Sequence, residues 1–285
     1  MKIFKKIILW KLRVITHPLL IYRFSDVLYF FIYYILRFRK KVVYTNLNNA
    51  FPEKPSKEIR KIAKQFYKNL CDLVFETLEL ICDDGRRLSK KLFIEEETTK
   101  IVKDSYDKTR NILILNGHIF NWEMMAFFPK STDYKVLISY KQLNNERINS
   151  IMKNAREKFG GIAVDFKKMY RTIKEYDALG KPTLTWIAAD QRPGGNTKII
   201  NMRFLNQDTK FYDGLDALAK KTNQSVYFEH MTKLGRGKYM ASARLITENP
   251  KEEKENFIIE TYAKMLEDLI RKDPANWLWG HKRWK

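Results

Sequence analysis

What most constrains this chain is the stretch Asn111 to Glu123, which reads Asn-Ile-Leu-Ile-Leu-Asn-Gly-His-Ile-Phe-Asn-Trp-Glu. Ile112 to Leu115 is an unbroken apolar run. Successive strand residues point to opposite faces, so such a run suits a strand covered on both sides. Gly117 then permits a sharp turn, because it lacks the Cβ that makes positive φ costly. Asn121 is a good N-cap for a helix starting at Trp122 and carrying Met124, Met125 and Phe127 inward. His118 is therefore expected in a strand-to-helix turn, with Glu123 in the first helical turn. Along one straight helix these two side chains would point apart; across a turn they can meet.

A histidine beside a carboxylate is what general-base chemistry requires. Neutral imidazole takes a proton from a hydroxyl near neutral pH. A carboxylate on the other ring nitrogen fixes the tautomer and stabilises the imidazolium as it forms. His118 is read as the base and Glu123 as its orienter. The spacing alone is weak, because four His and 33 acidic residues produce such a match readily by chance. Only its context of buried strand, glycine and capping asparagine lifts it, and a chance match stays the competing reading.

From Asn111 onward strands and helices alternate. Strands are expected over 111–116, 134–139, 161–165, 183–189, 225–230 and 239–246, and helices over 122–128, 145–158, 167–179, 212–223 and 252–272. That order implies an α/β layered fold with a largely parallel central sheet flanked by helices. Gly235-Arg236-Gly237 reads as a hairpin turn. Upstream, Ile59, Ile62, Ala63, Phe66, Leu70, Leu73, Val74, Thr77 and Ile81 recur at three-and-four spacing. They predict a long amphipathic helix, capped by Ser56 and ended by Asp83-Asp84-Gly85.

In open α/β sheets, ligands collect outside the carboxyl ends of the strands. His118 follows one such end and Asp190-Gln191 another, which puts both on one rim; a plain Pro-Gly-Gly turn after Asp190 is the alternative. Lys141, after Ile138-Ser139-Tyr140, is a third candidate, with a surface lysine as its alternative. His17 and His230 read as structural. Cys71 and Cys82 share one helical pattern, which argues against a disulfide framework. No metal-ligand spacing, phosphate loop or dinucleotide fingerprint is present, so neither metal nor cofactor is expected.

Charge narrows the partners. Fifty-four Lys+Arg against 33 Asp+Glu, a net charge of +21, call for polyanions. Residues 1–41 hold ten Lys/Arg and one Asp, interleaved with Ile3, Phe4, Ile7, Ile8, Leu9 and Trp10. This predicts a basic amphipathic helix at a membrane surface, interrupted by Pro18. Leu19 to Leu36 is mostly apolar, yet Arg23 and Asp26 break the roughly 20 clean residues that a span needs. A tilted or interfacial helix is favoured, and a span stays open. No small-residue cleavage site marks a signal peptide. The chain thus divides into a membrane-associating segment, 1–41, and an α/β domain, 42–285. A nucleic-acid binder would also carry such charge, but no binding motif accompanies it.

Gly117-His118-Ile119-Phe120-Asn121-Trp122-Glu123 resembles the His-x4-Glu block of the bacterial lipid A biosynthesis acyltransferases, of the late, lauroyl/myristoyl type, within the lysophospholipid acyltransferase superfamily. Three more blocks resemble the family in the same order: Val43-Tyr44-Thr45-Asn46-Leu47-Asn48-Asn49-Ala50-Phe51-Pro52-Glu53, Ala189-Asp190-Gln191 and Trp279-Gly280-His281-Lys282-Arg283-Trp284-Lys285. The resemblance covers essentially the whole chain. It implies a membrane-associated acyltransferase at the cytoplasmic face of the inner membrane. Its donor would be acyl carrier protein and its acceptor a hydroxyl on a lipid A precursor. Catalytic roles are implied for His118 and Glu123, and substrate contacts for Asn121, Trp122, Lys141, Asp190, Gln191, His281, Lys282 and Arg283. At the position of Lys141 the family more often carries Arg, whose bidentate fork Lys lacks. No Gly-x-Ser-x-Gly elbow is present, which favours direct transfer without an acyl-enzyme. The same chemistry on a lysophospholipid or aminolipid remains open. So does a non-enzymatic basic membrane or nucleic-acid-binding protein, against which the intact His118 and Glu123 argue.

Overall fold

Through the middle of the molecule runs a strand, β2 (Ile112–Asn116), all five of whose residues are buried. The structure is a computed structural model that describes residues 16–18, 20–194 and 197–284. Leu113 and Leu115 belong to one hydrophobic cluster, Ile112 and Ile114 to a second. This is the alternation that the pleat imposes on a strand covered on both faces.

Six strands join β2 in one sheet: β1 (Leu92–Ile94), β3 (Lys135–Tyr140), β4 (Ile162–Asp165), β5 (Thr183–Ala188), β8 (Ser225–Gly235) and β9 (Lys238–Thr247). Their order is β1-β9-β8-β2-β5-β3-β4. Each neighbouring pair is parallel except the β8–β9 hairpin, so the sheet is mostly parallel as expected.

The helices supply the outer layers. They are α1 (Ile21–Phe30), α2 (Lys40–Ala50), α3 (Ser56–Cys82), α4 (Glu96–Asp107), α5 (Glu146–Glu157), α6 (Met169–Ala178), α7 (Gly214–Thr222) and α8 (Phe257–Lys272). Met169 and Ile173 of α6, Leu215 of α7 and Tyr262 and Leu266 of α8 complete the first cluster. Val102 of α4, Ala155 of α5 and Met124, Met125 and Phe128 complete the second. The long α3 contributes to both, Phe66 and Tyr67 to one and Leu80 to the other. It starts at Ser56 without a side-chain cap bond and is stopped by Asp83, whose carboxylate accepts from the N–H groups of Gly85, Arg87 and Leu88.

Several elements depart from the sequence reading. The expected helix at 122–128 is a 3₁₀ helix, Trp122–Ser131, with Pro129 inside it; proline lacks the N–H an α-helical bond needs. β1 and α4 fill the interval before Asn111, where no element was read. β6 (Ile199–Phe204) and β7 (Gln207–Tyr212) make a separate antiparallel hairpin. Leu205 and Asn206 at its tip have φ of 50° and 60°. Two successive positive φ values are what a type I′ turn demands, and a leucine in the first place conceals it.

At the N-terminal end, α1 buries Ile21 and Ser25 against α3, where the Ser25 hydroxyl donates to Asp72 at 2.6 Å. A π-helical turn, Phe31–Ile35, continues it. Phe24, Val27, Phe30, Phe31, Tyr34, Ile35, Leu36 and Phe38 are exposed. Among the described residues no helix is long and apolar enough to cross a membrane. The basic amphipathic helix expected over residues 3–14, and Leu19, lie outside the described residues.

Candidate active site

The site follows from the register of two strands. β2 and β5 run parallel with Asn116 opposite Ala188. The Ala189 N–H donates to the Asn116 carbonyl at 3.1 Å, so the pairing outlasts the strands. Two residues beyond that pair stand His118 and Asp190. The Asp190 carboxylate accepts the His118 backbone N–H at 2.9 Å through Oδ2 and lies 2.6 Å from His118 Nδ1 through Oδ1. The Trp277 indole donates to Oδ2 at 2.7 Å.

These contacts set the proton positions. An ionised carboxylate can only accept, so Nδ1 carries the hydrogen and Nε2 of the neutral ring holds the lone pair. Asp190 is buried, which by itself would raise its pKa; the neighbouring imidazole, its backbone N–H and the Trp277 indole outweigh burial and lower it to about 2. Gln191 places its amide nitrogen 2.9 Å from Nε2, so that nitrogen is covered by an exposed side chain.

The turn that presents His118 is tightly constrained. Gly117 has no need of positive φ; a Cβ there would come within 2.7 Å of Leu266 on α8, so close helix approach is what requires glycine. The left-handed position falls instead on Phe120, at φ 50°. Its N–H donates to the Asn276 carbonyl, and Ile119 bridges Trp277.

Glu123 is not the orienter in this geometry. Its carboxylate pairs with Arg156 of α5, which donates from Nε at 2.9 Å and from an Nη at 2.6 Å, and it also accepts the Trp122 indole at 3.1 Å. Burial would lower the Arg156 pKa, but Glu123 raises it above the ordinary value. Because the 3₁₀ helix turns Glu123 toward α5, it meets His118 only through Trp122, whose ring lies edge-on to the imidazole at 4.7 Å. Asn121 occupies the N-cap position without a capping bond; it is 1% exposed and donates its amide to Glu76 of α3 at 2.9 Å. A side chain so enclosed holds the turn and is not presented to a ligand.

The remaining candidates fall around the same rim. Lys141 is exposed just past β3, next to β5 in the sheet, and its Nζ lies near Gly194. Asn46 of α2, in the Asn-Leu block, donates to the carbonyls of Trp279 and His281 at 2.9 and 3.0 Å, so two of the sequence blocks are packing partners. His281 is half-buried; burial lowers its pKa, with Asp190 opposing. Lys282 is exposed, whereas Arg283 is buried over the Phe211 ring at 4.7 Å. None of the three Arg283 guanidinium nitrogens has a hydrogen-bond partner among the described residues, and burial pushes its pKa down to about 10. Of Lys282 and Arg283, Lys282 is the one that faces solvent.

A small, mostly apolar cleft adjoins His118, lined by Phe66, Asn69, Leu70 and Leu73 of α3, by Phe120 and Trp122, and by Asn276, Trp277 and Leu278. An imidazole beside such a cleft can deprotonate a hydroxyl on a lipid. Arg156 and Glu76 escaped the sequence reading, because nothing local marks them.

The family described as bacterial lipid A biosynthesis acyltransferase matches residues 2–285. No curated protein matches the chain. With the family matched over nearly the whole length, this chain belongs to the bacterial lipid A biosynthesis acyltransferases and is an acyltransferase.

Proposed function

We propose that the protein transfers a fatty acyl chain from acyl carrier protein to a hydroxyl of a lipid A precursor, with His118 as general base and Asp190 as its orienter. The observation that carries this reading is the 2.6 Å contact between His118 Nδ1 and Asp190, which leaves Nε2 as proton acceptor beside an apolar cleft. Nε2 takes the acceptor's hydroxyl proton as its oxygen bonds the thioester carbonyl carbon. The tetrahedral oxyanion collapses, the C–S bond breaks, and the departing thiolate takes the proton from the imidazolium. Lys141, on the same rim, is assigned to the oxyanion or the substrate phosphates. The acyl chain lies in the cleft against Leu70, Leu73 and Trp122. Glu123 keeps a supporting part, holding Trp122 against the imidazole.

The exposed aromatic and aliphatic face of residues 24–38, flanked by Arg37, Arg39, Lys40 and Lys41, supports attachment to an anionic bilayer, which we place at the cytoplasmic face of the inner membrane. The basic surface suits both an acidic carrier and a phosphorylated acceptor.

The test is transfer by purified protein from acyl-loaded carrier protein to a lipid A precursor, read by mass spectrometry. His118→Ala is expected to lower turnover by at least about 10²-fold with the fold intact. Near-wild-type turnover in that variant overturns the mechanism. Acylation of a lysophospholipid or aminolipid in preference would reassign the acceptor.

A further inference from the structure

Glu76 of α3 is fully buried, yet it forms no ion pair among the described residues. Its carboxylate gathers three neutral donors from three separate elements. Tyr22 of α1 donates its hydroxyl to Oε1 at 3.0 Å. Asn121, in the turn after His118, donates its amide to Oε2 at 2.9 Å. Tyr239 of β9 donates its hydroxyl to the same Oε2 at 3.0 Å. The cations nearby are spoken for: Lys91 bonds Glu79, and Arg236 bridges Asp26 and Asp72. Burial raises the Glu76 pKa, while the bonds from Asn121 and Tyr239 oppose it.

A buried carboxylate held only by neutral donors is costly to keep and adds little to stability over an apolar replacement. Its arrangement is informative about the turn. The His118–Trp122 turn includes Phe120 in the left-handed region, a conformation that persists only where its surroundings enforce it. Two ties enforce it. One is the C-terminal segment, through Asn276 and Trp277. The other is Glu76, through Asn121. The side-chain Oδ1 of Asn121 has no partner among the described residues, so the amide's bond to Glu76 is what fixes that side chain.

We infer that Glu76 is a positioning residue for acyl transfer, holding the His118 turn in register with α1, the helix that carries the exposed apolar face. This rests on the reading of His118 as the base. Tyr22 makes the link physical, because one carboxylate binds both the helix and the turn. Tyr22 also packs on the β8–β9 hairpin, where a Cβ on Gly237 would collide with its hydroxyl, so its position is fixed from both sides.

The experiment uses the full chain with the Glu76→Ala, Glu76→Gln, Asn121→Ala and Tyr22→Phe variants and two readouts. The first is steady-state acyl transfer. The second is the low-field proton resonance of His118 Nδ1–H, which reports the Asp190 contact without turnover. Glu76→Ala and Asn121→Ala are expected to lower kcat about tenfold or more with KM within about twofold, and to shift or broaden that resonance. Glu76→Gln, which keeps the shape and one acceptor, is expected to recover most of the loss. Tyr22→Phe, outside the cleft, is expected to lower kcat by a few-fold. Unchanged kcat and an unchanged resonance in Asn121→Ala and Tyr22→Phe overturn the inference, even if Glu76→Ala fails to fold. So does a kcat loss fully explained by a lower melting temperature. A resonance that responds to Glu76 in a protein whose His118→Ala variant still turns over leaves the positioning standing and removes the base assignment.

Discussion

Two buried carboxylates flank the His118 turn, and they do different things. Asp190 grips the imidazole and the backbone N–H of His118; Glu123 grips a guanidinium. Glu123 is five residues from His118 in sequence and Asp190 is 72 away, yet the distant one makes contact. The reason is architectural. Parallel neighbours β2 and β5 end in register, so residues at equal offsets beyond them face each other whatever the chain length between. Glu123 sits on a 3₁₀ helix whose direction is set by the packing of Met124, Met125 and Phe128 into the second cluster. Register across a sheet positions a side chain more rigidly than spacing along a turn.

The comparison makes its sharpest claim in kinetics. Asp190→Asn replaces a pure acceptor with an amide and removes the preference for a proton on Nδ1. We expect kcat to fall by about 10²–10⁴-fold with KM little changed and the melting temperature within a few degrees. Glu123→Gln in the same assay should lose much less. Equal losses in the two variants would erase the distinction drawn here.

Stability should show the converse. Removing Glu123 leaves the Arg156 guanidinium partly buried and unpaired, an effect of roughly 2–4 kcal/mol after allowing for its remaining exposure. In a chain of this size that is a fall of roughly 5–10 °C in Tm, read by calorimetry. The double variant Glu123→Met with Arg156→Met should recover most of it. If the double variant is as unstable as the single, the pair is not a structural unit.

A third buried carboxylate, Glu229 on β8, shows what happens with neither imidazole nor guanidinium at hand. Its Oε2 accepts the Trp186 indole at 2.8 Å, and its Oε1 has no partner among the described residues. Burial raises its pKa from 4.5 to about 7, against the opposing influence of the Trp186 bond and the Asn116 side chain. The folded state therefore holds this proton more tightly than the unfolded chain. Its contribution is fully present below the ordinary value and is lost as pH rises through about 7. Glu229→Gln should accordingly gain stability relative to the parent at pH 8.5 over pH 5, by up to roughly 3 kcal/mol. A pH-independent difference between the two would place Glu229 among ionised groups.

How much of this could be read beforehand follows from the same physics. Ile112 to Leu115 pointed to a doubly covered strand because successive strand residues face opposite sides and all four are apolar, and the shared rim of His118 and Asp190 followed from strand order. Which carboxylate would touch the imidazole did not follow, since that depends on register and on the twist of ten residues after Asn121. Arg283 was read as a substrate cation, but Phe211 on the unforeseen β6–β7 hairpin covers it. Asn121 was read as a cap because its preference is local, and Glu76 claimed its amide from 45 residues away.

The smallest effect concerns the other side of the imidazole. Asp190 holds Nδ1 from beneath a buried rim, whereas Gln191 meets Nε2 from an exposed one. In the proposed mechanism an acceptor hydroxyl occupies that second position to surrender its proton, so the Gln191 amide would compete with it. A solvent-accessible hydrogen bond of this kind is worth about 0.5–1.5 kcal/mol. Gln191→Ala is therefore expected to leave kcat within about threefold of the parent and to raise kcat/KM by a few-fold at most. Were Gln191 instead a substrate ligand, as the sequence block implied, KM would rise on its removal. A loss approaching that of Asp190→Asn would mean that both ring nitrogens are governed by the protein, and the asymmetry between the buried and the exposed partner would disappear.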